Sequence, residues 1–252
     1  MLPPLVLLAL LVGAPVAARS PLPFLPGERL TMKLTYASIV AGRASVVVKQ
    51  VTRGGRSVLQ FETRARSEGF FSGLFNFRVR DRTRSTWDPE SGCSLEIEKR
   101  LREGSAVRDQ VVIFDQAQGI AYVDDPKIEE ESFQVGPCAL DVLSALFVTR
   151  LRGVPERGSL RLPLFDNGKD YQLEVRFLGR EKLDLPEPFG PDTPTIVIEP
   201  MLVEGTGLFV QRGRLKVWLT DDARRVPVRW ASKVPIGAVV AQVEEYHPGV
   251  VK

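Results

Sequence analysis

Apolar and polar residues alternate with a period of two through most of this chain, the pattern of half-buried β-strands. Leu30, Met32, Leu34 and Tyr36 alternate with Thr31, Lys33 and Thr35. The β-branched run Ala44–Val51 follows Gly42, and Gly54-Gly55 marks a hairpin turn before Val58–Ser67. Asn76–Trp87, Leu95–Leu101, Val107–Phe114 and Ile120–Val123 continue the alternation. Ser159–Phe165 and Tyr171–Leu178 flank Asn167-Gly168, a strong short hairpin signal. Leu183–Pro194 carries four prolines and a glycine and reads as a loop. Thr195–Glu199, Arg214–Leu219, Val226–Lys233 and Ala238–Tyr246 complete the strands.

One segment departs from that period. In Cys138–Arg152, Leu140, Leu143, Leu146 and Phe147 recur at three- and four-residue steps. Pro137 precedes the segment, Gly153 and Pro155 follow it, and Arg150 and Arg152 suit the negative end of a helix dipole. The spacing predicts a helix over 138–152. The expected fold is mainly β: a large curved antiparallel sheet or incomplete barrel of about a dozen strands wrapped around one main α-helix. Such a sheet must curl or close to limit its exposed edges. A cleft is expected where sheet and helix side chains do not meet, lined by residues such as Leu143, Leu146, Phe147 and Trp218.

Residues 1–18 hold no charged side chain, and the apolar run Leu5–Val12 is followed by small residues ending at Ala18. That run is too short to span a bilayer and reads as a secretory signal cleaved after Ala18, the other reading being a buried N-terminal strand or helix. The remaining 19–252 is expected to form a single β-rich domain in the periplasm or another exported compartment. Cys93 and Cys138 then have a disulfide as one reading and separate buried thiols as the other. Two cysteines and one His offer no paired spacing for a metal, so neither a metal site nor a cofactor is expected.

Charge is unevenly spread: residues 19–108 hold 17 basic and 9 acidic side chains, and 109–252 hold 17 and 22. Arg78, Arg80, Arg82 and Arg84 share one strand face. That stripe suits lipid headgroups or another polyanion, or pairs across strands with Glu62, Glu96 and Glu98. Aromatic residues do not interleave with it, which argues against nucleic acid. Phe70, Phe71 and Phe75 lie in a glycine-flanked cluster that reads as the lip of an apolar cavity or as a strand corner. His247 sits beside Pro248, Ser144 lacks a nucleophile elbow, Asp221-Asp222 reads as a turn, and Gly205-Thr206-Gly207 lacks phosphate-loop spacing, so no enzyme chemistry is indicated.

The order of several short stretches resembles the bacterial exported family called domain of unknown function 3108. They are Pro26–Leu30, Ala41–Ala44, Phe77–Asp81, Asp141–Leu146, Gly213–Asp222 and Arg225–Val228 with Lys233 and Gly237–Ala241. The layout is also distantly similar to periplasmic lipoprotein-carrier folds, in which an incomplete barrel wraps helices over an apolar cavity. The resemblance implies no catalytic residues. The expected role is a non-catalytic binding or carrier module for an apolar or lipid-like ligand. The alternative is a structural or protein-interaction component of the cell envelope, without a cavity.

Overall fold

The computed structural model of the protein describes residues 21–37, 39–68, 78–204, 208–209, 215–233 and 238–250. The expected leader, Phe70, Phe71 and Phe75 lie outside the described residues. The strands are β1 (Arg29–Tyr36), β2 (Ile39–Arg53), β3 (Arg56–Ser67), β4 (Arg80–Trp87), β5 (Ser94–Glu103), β6 (Ala106–Asp115), β7 (Ile120–Asp124) and β8 (Ser132–Gln134). After helix α1 (Val142–Arg152) come β9 (Ser159–Asp166), β10 (Lys169–Leu183), β11 (Thr193–Glu204), β12 (Leu208–Phe209), β13 (Leu215–Thr220), β14 (Pro227–Lys233) and β15 (Ala238–His247). All ladders are antiparallel, in the order β8-β7-β6-β5-β4-β3-β2-β1-β15-β14-β13-β11-β10-β9, with β12 beside β11. The β1–β15 ladder therefore joins an N-terminal half-sheet to a C-terminal one.

The two free edges, β8 and β9, do not share a ladder. A strap between β8 and α1 closes the gap. The Leu140 N–H donates to the Pro163 carbonyl at 3.1 Å, and the Phe165 N–H donates to the Leu140 carbonyl at 2.8 Å. On the other side the Ser94 N–H and the Gln116 side-chain amide both donate to the Ala139 carbonyl. Phe133 of β8 meets Phe165 of β9 with ring centroids 5.5 Å apart, and Lys99 pairs with Asp166 across the gap. Cys93 and Cys138, the residues just before Ser94 and Ala139, form a disulfide with Cα atoms 4.8 Å apart. The bond therefore staples the seam of the barrel.

This seam shortens the predicted helix. Residues 138–141 are not helical: Cys138 takes φ +56° and Leu140 bridges Leu164. The helix starts at Val142, where Asp141 caps it by accepting from the Leu143 and Ser144 N–H groups. Its other carboxylate oxygen accepts from the Ser85 and Ser94 hydroxyls, each at 2.7 Å, in a fully buried network. The cap residue thus ties the helix to β4 and β5.

The buried helix face also differs from the expected Leu stripe. Ser144, Ala145, Phe147, Val148, Thr149 and Arg150 are buried, while Leu143 and Leu146 are half-buried. Phe147 stacks on Phe61 with centroids 3.7 Å apart and meets Phe24 edge-on at 4.9 Å. Trp87 closes the same aromatic cluster. Arg150 is fully buried among these rings. Its guanidinium donates to both oxygens of Glu28, at 2.6 and 3.0 Å, and to the carbonyls of Pro23 and Arg224. The Tyr246 hydroxyl also donates to Glu28, and burial beside that carboxylate pushes the phenol up to about 12.

Elsewhere strands are longer than alternation predicts. The segment Leu183–Pro194 is a loop only over 184–192, because β10 runs on to Leu183 and β11 begins at Thr193. β11 continues past Pro200 because β13 pairs only with Thr195–Ile198, so the missing proline N–H leaves no gap in that ladder. The three-residue β8 has too few positions to show a period.

A half-buried inner face and a basic cleft

The helix occupies one end of the barrel. Its partners, Glu28, Phe61, Ser85, Ser94 and Arg224, all lie at the end where β4 turns into β5 and β13 into β14. The opposite end holds the β1–β2 and β5–β6 turns and the strand ends that flank residues 69–77, 205–214 and 234–237. Burial along the inward face follows this polarity. Near the helix, Val46, Val48, Phe61, Ile97, Ile198 and Leu219 are all at most 2% exposed. Towards the other end the same face carries Leu34, Ala65, Leu101, Leu202 and Trp230, all half-buried, and Leu215 at 37% exposure. Among the described residues the inward face is fully covered beside the helix and half-buried towards the other end, where Thr63 and Thr83 lie among the apolar residues and Leu202 and Trp230 pack against the core. Asp81 also faces this side and hydrogen-bonds to Glu103; burial pushes both carboxyls up, Glu103 further through the charge of Asp81.

Phe147, Leu143 and Leu146 therefore belong to the closed end. Trp218 alternates with the inward Val217 and Leu219, so it lies on the outer face of its strand. There the Arg229 guanidinium covers it at 5.1 Å, and its indole N–H donates to Glu181 at 2.8 Å. The structure does not bring Trp218 together with the helix residues in one lining. Alternation alone does not single out the half-buried inward residues, because a strand reads the same whether its inner face is fully or half covered.

The arginine stripe divides in two. Arg82 and Arg84 both donate to Glu62, at 2.8 and 3.1 Å, and Arg84 also reaches Glu98 at 3.0 Å. Lys49 and Arg64 converge on the same Glu62 carboxylate. Burial alone would raise the Glu62 pKa; the hydrogen bonds from Arg82, Arg84 and Lys49 outweigh it and hold it at about 2. The folded value lies below the unfolded one, so this stabilisation is complete above about pH 5 and drains away as pH falls towards 2. Glu62→Gln is expected to cost on the order of 3 kcal/mol at pH 7 and little near pH 2.5. Urea unfolding at both pH values measures this; an equal loss at the two would mean that the charge is not what Glu62 contributes.

Arg78 and Arg80 behave differently. With Arg66, Ser67, Val79, Arg102 and Gly104 they line a cleft of about 630 Å³ at the open rim of the barrel. Register places Gln242, Lys33, Arg43, Arg66 and Arg80 in one row across β15, β1, β2, β3 and β4. Gly42 permits the close approach of β2 to β3 here, since a Cβ on it would stand 2.1 Å from the Arg66 carbonyl oxygen. At the other end of the row, Lys33, Thr35, Ala37, Arg229, Ala238, Val240 and Gln242 line a second cleft of about 440 Å³. Among the described residues no group of three His, Cys, Asp or Glu side chains is arranged to hold a metal.

Comparison with known proteins agrees with this architecture. A search of curated proteins finds no match to the sequence. Among solved structures, a β-barrel-like protein of domain of unknown function DUF1849 from Brucella abortus superposes with a TM-score of 0.57. That match covers 90% of this chain and all of the other at 9% identity, a likeness of fold alone. A DUF1089 family protein from Pseudomonas aeruginosa matches at a TM-score of 0.37, 13% identity, 70% of this chain and 84% of that one, too loosely to carry any argument. The sequence model of the family described as "Protein of unknown function (DUF3108)" matches residues 31–244, and the chain belongs to that family.

Proposed function

We propose that the protein is an exported, non-catalytic binding module that shelters the apolar part of a lipid-like molecule at the end of its barrel away from the helix. The observation that carries this reading is the burial gradient on the inward face, from complete cover beside α1 to the half-covered Leu34, Ala65, Leu101, Leu202 and Trp230. A packed scaffold would cover these apolar side chains, whereas an acyl chain would complete their burial at about 0.8 kcal/mol per methylene before the costs of association. The disulfide suits an oxidising compartment, and no helix among the described residues is long and apolar enough to cross a membrane.

The test is organic extraction of the purified protein followed by mass spectrometry, together with titration of N-phenyl-1-naphthylamine. The expected result is a co-purifying amphiphile and a saturable rise in dye fluorescence. Ala65→Phe should weaken the dye response at least tenfold while leaving the circular dichroism spectrum unchanged. A protein that yields no lipid and does not bind the dye would leave the envelope scaffold as the better account.

A further inference from the structure

We infer that the arginine cleft at the barrel rim is a site for an anionic phosphoryl headgroup, the polar end of the amphiphile whose tail enters the barrel. The second half of that statement rests on the function proposed above. The first stands on the arrangement of charge.

Cross-strand register sets Arg66 directly opposite Arg80. Like charges so placed are destabilising. The same conflict recurs where Arg64 faces Arg82 and Arg82 faces Arg100. There the protein resolves it internally, with Glu62 beneath Arg64 and Arg82 and Glu98 beside Arg100. At the rim no such carboxylate is supplied: among the described residues Arg66, Arg78 and Arg80 have no ion-pair partner. The carboxyls nearest in sequence are committed elsewhere. Glu68 is engaged by Arg43, and Asp109 forms a two-pronged pair with Arg102 at 2.9 and 2.8 Å. Asp81 and Glu103 hydrogen-bond to each other on the other face of β4 and β5.

Arg102 adds direction to this concentration of charge. Asp109 and the carbonyls of Leu101 and Arg108 fix its guanidinium at the cleft wall. The site thus combines one anchored cation with three uncompensated ones in a concavity roomy enough to admit a polar headgroup. Guanidinium forks suit the paired oxygens of a phosphate. Ser67 and Val79 point to the inward side of the strands that carry Arg66 and Arg80, so the cleft borders the half-buried inward face.

The experiment compares lysophosphatidylglycerol with lysophosphatidylcholine of the same chain length, each below its micelle concentration, by displacement of N-phenyl-1-naphthylamine. The full chain and the variant Arg66→Gln/Arg78→Gln/Arg80→Gln are used, with glycerol phosphate titrated separately by calorimetry. Wild type is expected to bind the anionic lipid at least tenfold tighter than the zwitterionic one. The variant should lose that preference and the glycerol phosphate signal while keeping its affinity for the zwitterionic lipid. Equal affinity of wild type for the two lipids, or a preference that survives in the variant, would overturn the headgroup site and leave the apolar site intact. Glycerol phosphate binding to wild type without either lipid would retain the anion site and sink the apolar one. No binding of any of the three would sink both.

Discussion

Arg150→Met is expected to destabilise the protein by about 4 kcal/mol, the largest effect of any single side chain here. The guanidinium is wholly buried, and Glu28 is 2% exposed. Removing the cation strands the Glu28 carboxylate in a site walled by Phe24 and Phe147, with Tyr246 as its remaining side-chain donor. It also frees the carbonyls of Pro23 and Arg224, which lie in the N-terminal segment and in the β13–β14 turn. One side chain thus holds together the helix, the chain before β1 and a turn more than 70 residues further on. Glu28→Met should be comparably damaging. The double variant should cost less than the sum of the two, because no orphan charge is left behind. Denaturant midpoints for the three variants decide the matter. Simple additivity would mean that the pair contributes through packing and not through its mutual compensation.

The second large effect is at the seam. Cys93→Ser/Cys138→Ser is expected to lower stability by about 4 kcal/mol, from loss of the constraint on a 45-residue separation in the unfolded chain. For a domain of this size that is a fall in melting temperature of roughly 10 °C. The native structure should feel the change locally. Hydrogen exchange should rise at Ser94, Leu140 and Phe165, whose N–H groups make the bonds that close the barrel, before it rises in the β1–β15 ladder. Uniform exchange across both regions would show that the strap is not a separate unit of stability.

The strands were legible because each has one covered face, and a period of two follows from that fact alone. The hairpin turns at Gly54-Gly55 and Asn167-Gly168 were legible because the turn needs φ > 0 there, and all four residues have it. The helix was half legible. Its periodic leucines gave its place, but Leu140 serves a strand bridge and Asp141 the cap. Arg150 read as a terminal cation because nothing local signals its partner 122 residues earlier in the chain. Glu28 lies just before residues 31–244, which the family model matches, and nothing in its local sequence singles it out. The four arginines of β4 were visible as a stripe. Their division into a neutralised half and an uncompensated half depends on which strands lie beside them, and hence on register.

The position of β15 has a consequence for how the molecule comes into being. It pairs with β1 across more than 200 residues and, among the described residues, alone joins the two half-sheets by a ladder. Such distant pairing makes folding slow. The middle of the sheet cannot assemble until the chain has been made as far as residue 247. Until β15 pairs with it, that side of β1 is an unpaired strand edge, open to pairing with another chain.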